Sequence, residues 1–281
     1  MRIYLDCYPC YLRQALSAAR RVSADEAVQA AVIREVLTLL QNIQLDATPP
    51  EIAYRVHRIV RDTIPENDPY HRAKAKSTAD ALGIYAKLKR LVAQSADPLD
   101  TAIRISIAGN IIDFGITEDI QDLWQTVESV LDQPYAIDDT AQLRAQLKSV
   151  DQVLFLADNA GETVFDRVLI ETLVVPVIYA VKGGPILNDA TIDDATAAGL
   201  DQCTTLLSNG LDAPGTILSL CSDEFRHHYE SAQFIIAKGQ ANYETLSEAG
   251  SKVFCLLRVK CPVIAQDIGQ PVDSIVVRQS R

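Results

Sequence analysis

Hydrophobic positions in the first half of the chain recur at helical spacing. Ala27, Ala30, Ala31, Ile33, Val36, Leu37 and Leu40 form one such series, with charged residues set between them, the pattern of helices that turn one face inward. Stop and start signals cut this half into a stack of helices: Asp46 to Pro50 with Glu51 opening the next helix, Pro65 to Pro69, Asp97-Pro98, then Gly109 and Gly115. Thr117 is expected to begin a further helix, with acidic residues in its first turn that suit the positive end of the helix dipole. Near residue 150 the pattern changes. Apolar runs too short for helices (Val153 to Ala157, Val177 to Val181, Thr204 to Leu207, Phe234 to Ala237, Val253 to Val259 and Ser274 to Val277) alternate with longer helical stretches. Several are continuous in Val, Ile, Leu and Phe, as expected of strands covered on both faces. The predicted fold class is α/β, with a mainly helical domain over residues 1–149 and an α/β domain with a mostly parallel sheet over residues 150–281, joined near Gln133 to Thr140.

Composition narrows the functional classes. The chain has 281 residues, 48% apolar and 22% charged, an ordinary globular balance whose length suits about two domains. Twenty-six basic residues against 37 acidic ones leave a formal charge of −11 with no Lys/Arg-rich run, so nucleic acid is not expected as a partner. The longest apolar stretch, Leu173 to Val181, contains Pro176 and falls well short of the roughly 20 residues that cross a bilayer. The first twenty residues lack the features of a secretory signal, and a cytoplasmic protein is the expectation. Six cysteines are too few for a disulfide scaffold in a chain of this length.

In an open parallel sheet, ligands bind beyond the carboxyl ends of the strands. The segments that follow the predicted strands are Asp158-Asn159-Ala160-Gly161-Glu162, Lys182-Gly183-Gly184-Pro185 with Asn188-Asp189, Ser208-Asn209-Gly210, and Lys238-Gly239-Gln240-Ala241-Asn242. Turn and cap chemistry explains any single one of these; four on one edge point to a site. Carboxylate and amide oxygens without His or Cys beside them are hard ligands, suited to magnesium, manganese or a similar ion. Asp158, Asn159 and Asp189 are the economical metal set, leaving positions for water and a substrate oxygen. Lys182 and Lys238 suggest an anionic substrate, and the adjacent glycines, Gly183 among them, allow close approach of backbone N–H groups. A phosphate ester fits these features. No GxxxxGK[ST] loop and no GxGxxG after a strand occurs, so neither a Walker-type nor a dinucleotide site is indicated. Asp158 as a phosphoryl-accepting nucleophile remains an alternative to metal-activated water.

Cys7-Tyr8-Pro9-Cys10 is a CxxC ahead of a helix, where the dipole favours thiolate. It reads as redox-active, as half of a metal site completed by Cys261, or as a plain turn with packed thiols. His57 and His71 fall in predicted helices, and His227 and His228 are adjacent, about 100° apart on a helix, so they do not share a metal-binding face.

The ordered set of motifs resembles the DUF89, or ARMT1-like, damage-control phosphatases, in particular a small prokaryotic branch with an N-terminal CxxC. The resemblance rests on Asp6-Cys7-Tyr8-Pro9-Cys10, Ala108-Gly109-Asn110-Ile111-Ile112-Asp113-Phe114-Gly115, Asp158 to Glu162, Lys182 to Thr191, Ser208-Asn209-Gly210, Ala237 to Glu244 and Arg258-Val259-Lys260-Cys261-Pro262. It implies a helical domain beside a Rossmann-like α/β domain and a phosphatase that uses a divalent metal ion (Mn, Co, Ni or Mg) on a small phosphorylated metabolite. It places metal coordination on Asp158, Asn159 and Asp189 and phosphate contact on Lys238, with Asn242 nearby. Asn110 and Asp113 are expected to reach the same cleft. The catalytic candidates are therefore Asp158, Asp189 and Lys238, the last neutralising leaving charge. The substrate-binding candidates are Asn110, Asp113, Glu162, Lys182, Gly183, Ser208, Asn209, Lys238 and Asn242, and Cys7, Cys10 and Cys261 form the candidate second metal or redox site. A non-catalytic protein that binds metal or phosphometabolite, with a zinc or redox CxxC, is the alternative from another class.

Overall fold

The computed structural model describes residues 1–64, 68–110 and 120–281. Six helices come first: α1 (Cys7–Val22), α2 (Glu26–Leu40), α3 (Pro49–Thr63), α4 (His71–Gln94), α5 (Pro98–Gly109) and α6 (Ile120–Asp132). The boundaries follow local chemistry. At the start of α3 the Thr48 N–H donates to Glu51 Oε2 at 2.7 Å, closing a capping box ahead of Pro49 and Pro50. At the start of α5 the Asp97 side chain accepts from the Asp100 N–H at 3.1 Å, with Pro98 in the first helical position. Gly115 and the helix start at Thr117 lie outside the described residues.

The rest of the chain alternates strands and helices: β1 (Tyr135–Asp138), α7 (Thr140–Leu147), β2 (Val153–Leu156), α8 (Thr163–Ile170), β3 (Val177–Val181), α9 (Ile192–Ala197), β4 (Thr205–Ser208), α10 (Asp223–Ser231), β5 (Ile235–Lys238), α11 (Gly239–Leu246), β6 (Val253–Arg258), α12 (Pro262–Ile268) and β7 (Ile275–Gln279). The sheet has seven strands in the order β1-β7-β6-β5-β2-β3-β4. All pairs are parallel except β6–β7, so the mixed α/β class expected from the alternation of runs is the class observed.

Strand β1 was not expected. It lies in the segment read as the joint between the two halves, because four residues with one Asp and only intermediate burial give no apolar run. Its single sheet neighbour, β7, supplies the pairing that its composition does not advertise.

Alternation along the strands divides the interior into two layers. Val153, Phe155, Tyr179, Val181, Ile236, Leu256 and Val277 face one way, against α4, α5, α6 and α8. Leu154, Leu156, Ile178, Ile235, Ala237, Leu257 and Val276 face the other, against α10, α11 and α12. Helices α4 to α6 thus share the sheet's own core, while α1, α2 and α3 gather a separate cluster around Tyr11, Ala15, Val32, Val36, Ile52 and Val56. The first half of the chain is helical as read, but part of it is one cover of the sheet, and the expected boundary at residue 149 falls within that shared core.

Histidine 57, on α3, is 4% exposed and its Nε2 has no hydrogen-bond partner. Burial first, and the Arg61 guanidinium second, push its pKa down from 6.5 to about 4. Above pH 6.5 the imidazole is neutral both folded and unfolded. Between 6.5 and 4 only the unfolded chain takes the proton, so His57 lowers stability progressively as pH falls, by about 3 kcal/mol at the lower limit. Urea denaturation at pH 7.5 and pH 5 is expected to show a smaller acid loss in His57→Gln than in the parent.

Candidate active site

The strand order reverses at β2: β3 and β4 follow on one side, β5 and β6 lie on the other. Loops leaving β2 and β5 diverge there and open a crevice at the carboxyl edge, the usual ligand position in such a sheet. Asp158 and Asn159 follow β2, and Lys238 ends β5. The loop after β3 returns to this point. The Ala190 N–H donates to the Asp158 carbonyl and the Ala160 N–H to the Asn188 carbonyl, both at 2.8 Å, so that Asn159 and Asp189 form an antiparallel bridge. Main-chain pairing therefore joins the two motifs that sequence alone separates by thirty positions.

A buried polar network surrounds the bridge. Asn110, at the end of α5, donates from Nδ2 to Asp158 Oδ2 at 2.7 Å and to Glu162 Oε2 at 2.9 Å. Asn159 Nδ2 donates to the same two oxygens at 2.9 Å each. Below them Lys238, at 0% exposure, donates to Glu162 Oε1 at 2.5 Å, Asp166 Oδ1 at 2.6 Å and the Ser106 carbonyl at 3.0 Å. Ser106 Oγ and Tyr179 OH complete the shell of Asp166, at 2.6 and 2.8 Å. Burial alone would lower the Lys238 pKa, but the carboxylates of Asp166 and Glu162 outweigh it and hold the ammonium above its ordinary value.

Lysine 238, expected to contact phosphate, has its ammonium on Glu162, Asp166 and the Ser106 carbonyl in this structure. An ammonium has three donors, and all three are spent inside the protein. Its contact with Glu162 links it to Asn110 and Asn159, which donate to the other oxygen of that carboxylate. The next residue, Gly239, has φ of +79°, and a Cβ there would lie 1.9 Å from Asp158 Oδ2. Only glycine combines that backbone conformation with that approach.

The other expected residues divide. Lys182, 4% exposed, donates to the Gly215 carbonyl and lies 3.5 Å from Asp189 Oδ2. With Gly183 and Ser208 it lines a separate cavity of about 630 Å³ beside α4. Asn209 Oδ1 accepts from the Gly183 and Leu211 N–H groups, and Ser208 Oγ accepts from the Gly210 N–H. Asn242 bridges the carbonyls of Ala157 and Lys238 and accepts from Thr216 Oγ1. Asn209 and Asn242 spend these groups on turns and strand ends, which is the cap chemistry first weighed against a binding role. Asp113 lies outside the described residues.

In front of the bridge is a cleft of about 500 Å³. Asp158, Asn159 and Asp189 form one wall, and Cys7, Cys10 and Cys261 line it too, with Gln240, Glu244 and Lys260. The cysteines expected as a second site thus sit beside the first one. No three His, Cys, Asp or Glu side chains among the described residues are gathered as a metal site, the carboxylates of this wall and the three cysteines alike. Burial pushes the Cys7 and Cys261 thiols up, which opposes the thiolate character expected from the helix dipole. Desolvation wins because the dipole acts on an exposed group at best by a fraction of what burial removes.

The acidic wall fits a hard dication. Four buried carboxylates, Asp158, Glu162, Asp166 and Asp189, face two buried ammoniums, Lys182 and Lys238. Burial, then Glu162 and Asp189, push the Asp158 carboxyl well above the usual carboxylate range, the signature of a cluster short of positive charge. Asn110 Oδ1 is buried with no hydrogen-bond partner. Two carboxylates and an amide oxygen leave coordination positions for water and substrate, as a catalytic site for an oxygen-preferring ion requires.

Residues 3–276 match the damage-control phosphatase ARMT1-like domain. The chain belongs to this family. It is 34% identical to a damage-control phosphatase of Archaeoglobus fulgidus over 99% of each chain. It is 31% identical to one of Pyrococcus horikoshii, over 100% of this chain and 99% of that one. An uncharacterised protein of Methanocaldococcus jannaschii shares 34% identity over 99% of this chain and 96% of its own length. The crystal structure of a DUF89 family protein from Pyrococcus horikoshii superposes over the whole of both chains with a TM-score of 0.93 at 31% identity. The family resemblance read from the motifs is therefore correct. Among the described residues no helix is long and apolar enough to cross a membrane.

The sequence reading missed Asp166 and Ser106 as members of the buried network. Asp166 carried a signal, since it lies four residues after Glu162 and so on the same helical face; Ser106, inside an apolar helix, carried none. Replacing Lys238 by Met would leave two buried carboxylates without their counter-charge. Chemical denaturation is expected to show a loss of about 3–5 kcal/mol, with Lys238→Arg also destabilised, because a guanidinium is too large for a site with 0% exposure.

Proposed function

We propose that the chain is a divalent-metal-dependent phosphatase that hydrolyses phosphate monoesters of small metabolites. The observation that carries this reading is the Asn159–Asp189 bridge at the point where strand order reverses, which gathers two carboxylates and an amide at the mouth of a cleft. Membership in the family, and the printed names of two relatives, supply the reaction class.

Asp158, Asn159 and Asp189 are the residues that would hold the metal ion. A divalent ion bound there supplies Lewis-acid polarisation of a phosphoryl oxygen, a lowered pKa for bound water, and charge to offset that of the substrate. The chain's own contribution is orientation. Two amide donors, from Asn110 and Asn159, occupy Asp158 Oδ2, fixing the carboxylate in one rotamer. This arrangement favours Asp158 as a holding group over Asp158 as a nucleophile, since an oxygen that accepts two hydrogen bonds is a weaker attacking group. Lys238 holds Glu162 in place as the second acceptor for the same two amides. The cleft volume of about 500 Å³ lies in the range of sites for small molecules.

Hydrolysis of para-nitrophenyl phosphate and a panel of sugar phosphates, assayed with manganese, cobalt, nickel or magnesium, tests the proposal. Activity is expected to vanish with chelator and return with metal, and to fall at least about 100-fold in Asp158→Asn and Asp189→Asn, as for loss of a principal electrostatic group. Hydrolysis that survives both chelator and Asp158→Asn would refute it. Asn110→Ala removes a group that orients a ligand without being held to bind the ion itself. It is expected to raise the metal concentration for half-maximal activity by about 10–100-fold, read from metal titrations of the rate.

A further inference from the structure

Asp158 and Asn159 follow closely on β2, but Asp189 stands eight residues beyond the end of β3, so its placement depends on what anchors the intervening loop. Leu187 in that loop has φ of +48°, a region that L side chains rarely occupy, and a loop bent in this way needs outside contacts to keep its shape. Two of them come from the sheet. The Ala190 N–H donates to the Asp158 carbonyl at 2.8 Å, and the Ala190 carbonyl accepts from the Lys182 N–H at 2.9 Å. They hold one point of the backbone, about which Asp189 and Thr191 can still turn.

A chain of polar contacts leading away from the cleft holds the other side. The Thr191 N–H and Oγ1 both donate to Asp194 Oδ2, at 2.9 and 2.7 Å, closing the capping box of α9. The same oxygen accepts from Lys74 Nζ at 2.9 Å, and that ammonium pairs with Asp68 Oδ2 at 2.8 Å. Helix α9 has six residues, too few to be stable by itself, so the cap and the ion pair fix where it starts. Lys74, on α4, is buried. Burial acts to lower its pKa, but Asp68 and Asp194 outweigh it and hold the ammonium above its ordinary value. Lys74, Asp68, Thr191 and Asp194 all line the cavity beside α4, so this clamp lies outside the cleft of Asp158 and Asp189.

Resting on the reading above in which Asp158, Asn159 and Asp189 hold a divalent ion, we propose that Lys74 is a positioning residue for Asp189. Its ammonium fixes Asp194, Asp194 fixes Thr191, and Thr191 together with Ala190 sets the angle at which the Asp189 carboxylate meets Asp158 and Asn159. The affinity of the site for a metal ion therefore depends on a cation that lies outside the cleft, on a helix of the first half. Without that ammonium Asp194 is a largely buried charge with no counter-charge, and it gains by turning toward water. Loss of an outer contact that orients a metal-holding group is felt about tenfold or more in metal affinity.

The test titrates the full, metal-stripped chain with manganese and reads the bound fraction from the electron paramagnetic resonance signal of the free ion, at a temperature where each variant is folded. Lys74→Met is expected to raise the manganese dissociation constant about tenfold or more. Lys74→Arg is expected to recover most of the affinity, since a guanidinium can pair with both carboxylates and the adjoining cavity of about 630 Å³ has room for it. Leu88→Ala, a core truncation in the same helix, is expected to lower the melting temperature without moving the dissociation constant, which separates the clamp from a general loosening of α4. Thr191→Val keeps the ion pair and removes the hydroxyl bond to Asp194. It is expected to weaken manganese binding, and it decides the matter should Lys74→Met not fold. The proposal is overturned if folded Lys74→Met binds manganese as the parent does, if the Met and Arg variants lose affinity equally, if Leu88→Ala weakens binding as much, or if Thr191→Val matches the parent. A parent chain that binds no manganese overturns the metal reading and this inference together. A parent that binds manganese and hydrolyses nothing removes the phosphatase reading alone, and the same titrations still decide the role of Lys74.

Discussion

A lysine ammonium held between two carboxylates at the centre of the molecule governs the rest of the structure. Lys238, Glu162 and Asp166 all have 0% exposure, and burying three charges together costs several kcal/mol per ion unless every donor and acceptor is matched. Here they are matched. The cluster reaches α5 through Ser106, α8 through Glu162 and Asp166, β3 through Tyr179 and β5 through Lys238 itself. Any shift of one of these elements would unpair a buried charge, so the cluster specifies how the helical cover sits on the sheet. The same constraint reaches the cleft, because Glu162 presents its second oxygen to Asn110 and Asn159, and these hold Asp158. A scaffold that is expensive to distort thereby orients the buried carboxylate at the cleft wall.

The division of labour among the lysines follows from depth. A cation that stabilises a carboxylate cluster must be desolvated with it, and once desolvated it has no donor left for a ligand. Lys238 stands at the buried extreme, with 0% exposure and its donors on Glu162, Asp166 and the Ser106 carbonyl. The cysteines show the same influence of depth: Cys7 and Cys261 line the cleft, yet burial raises their thiols.

Much of the site was legible because its residues fall in predictable places. The alternation of apolar runs marked six of the seven strands, and the rule that ligands collect beyond strand ends led to Asp158, Asn159, Glu162 and Asp189, which the structure brings together. The same rule led to Ser208, Asn209 and Asn242, whose amides and hydroxyls serve the turns themselves. Residue type at a strand end carries no information about whether a polar atom points along the backbone or into the crevice.

Hydrophobic periodicity and turn residues determine the elements of this protein and their order, since each depends only on neighbours within a few positions. The motifs, in order, also determined its family. Tertiary structure alone decided the order of strands in the sheet, the membership of β1, and the sharing of one core by helices from the first half. It alone decided which polar groups are spent inward and which face the cleft. Those outcomes depend on contacts between residues that are remote along the chain, such as Ser106 with Lys238 or Asn110 with Asp158, and on how much water each side chain keeps, neither of which a local pattern encodes.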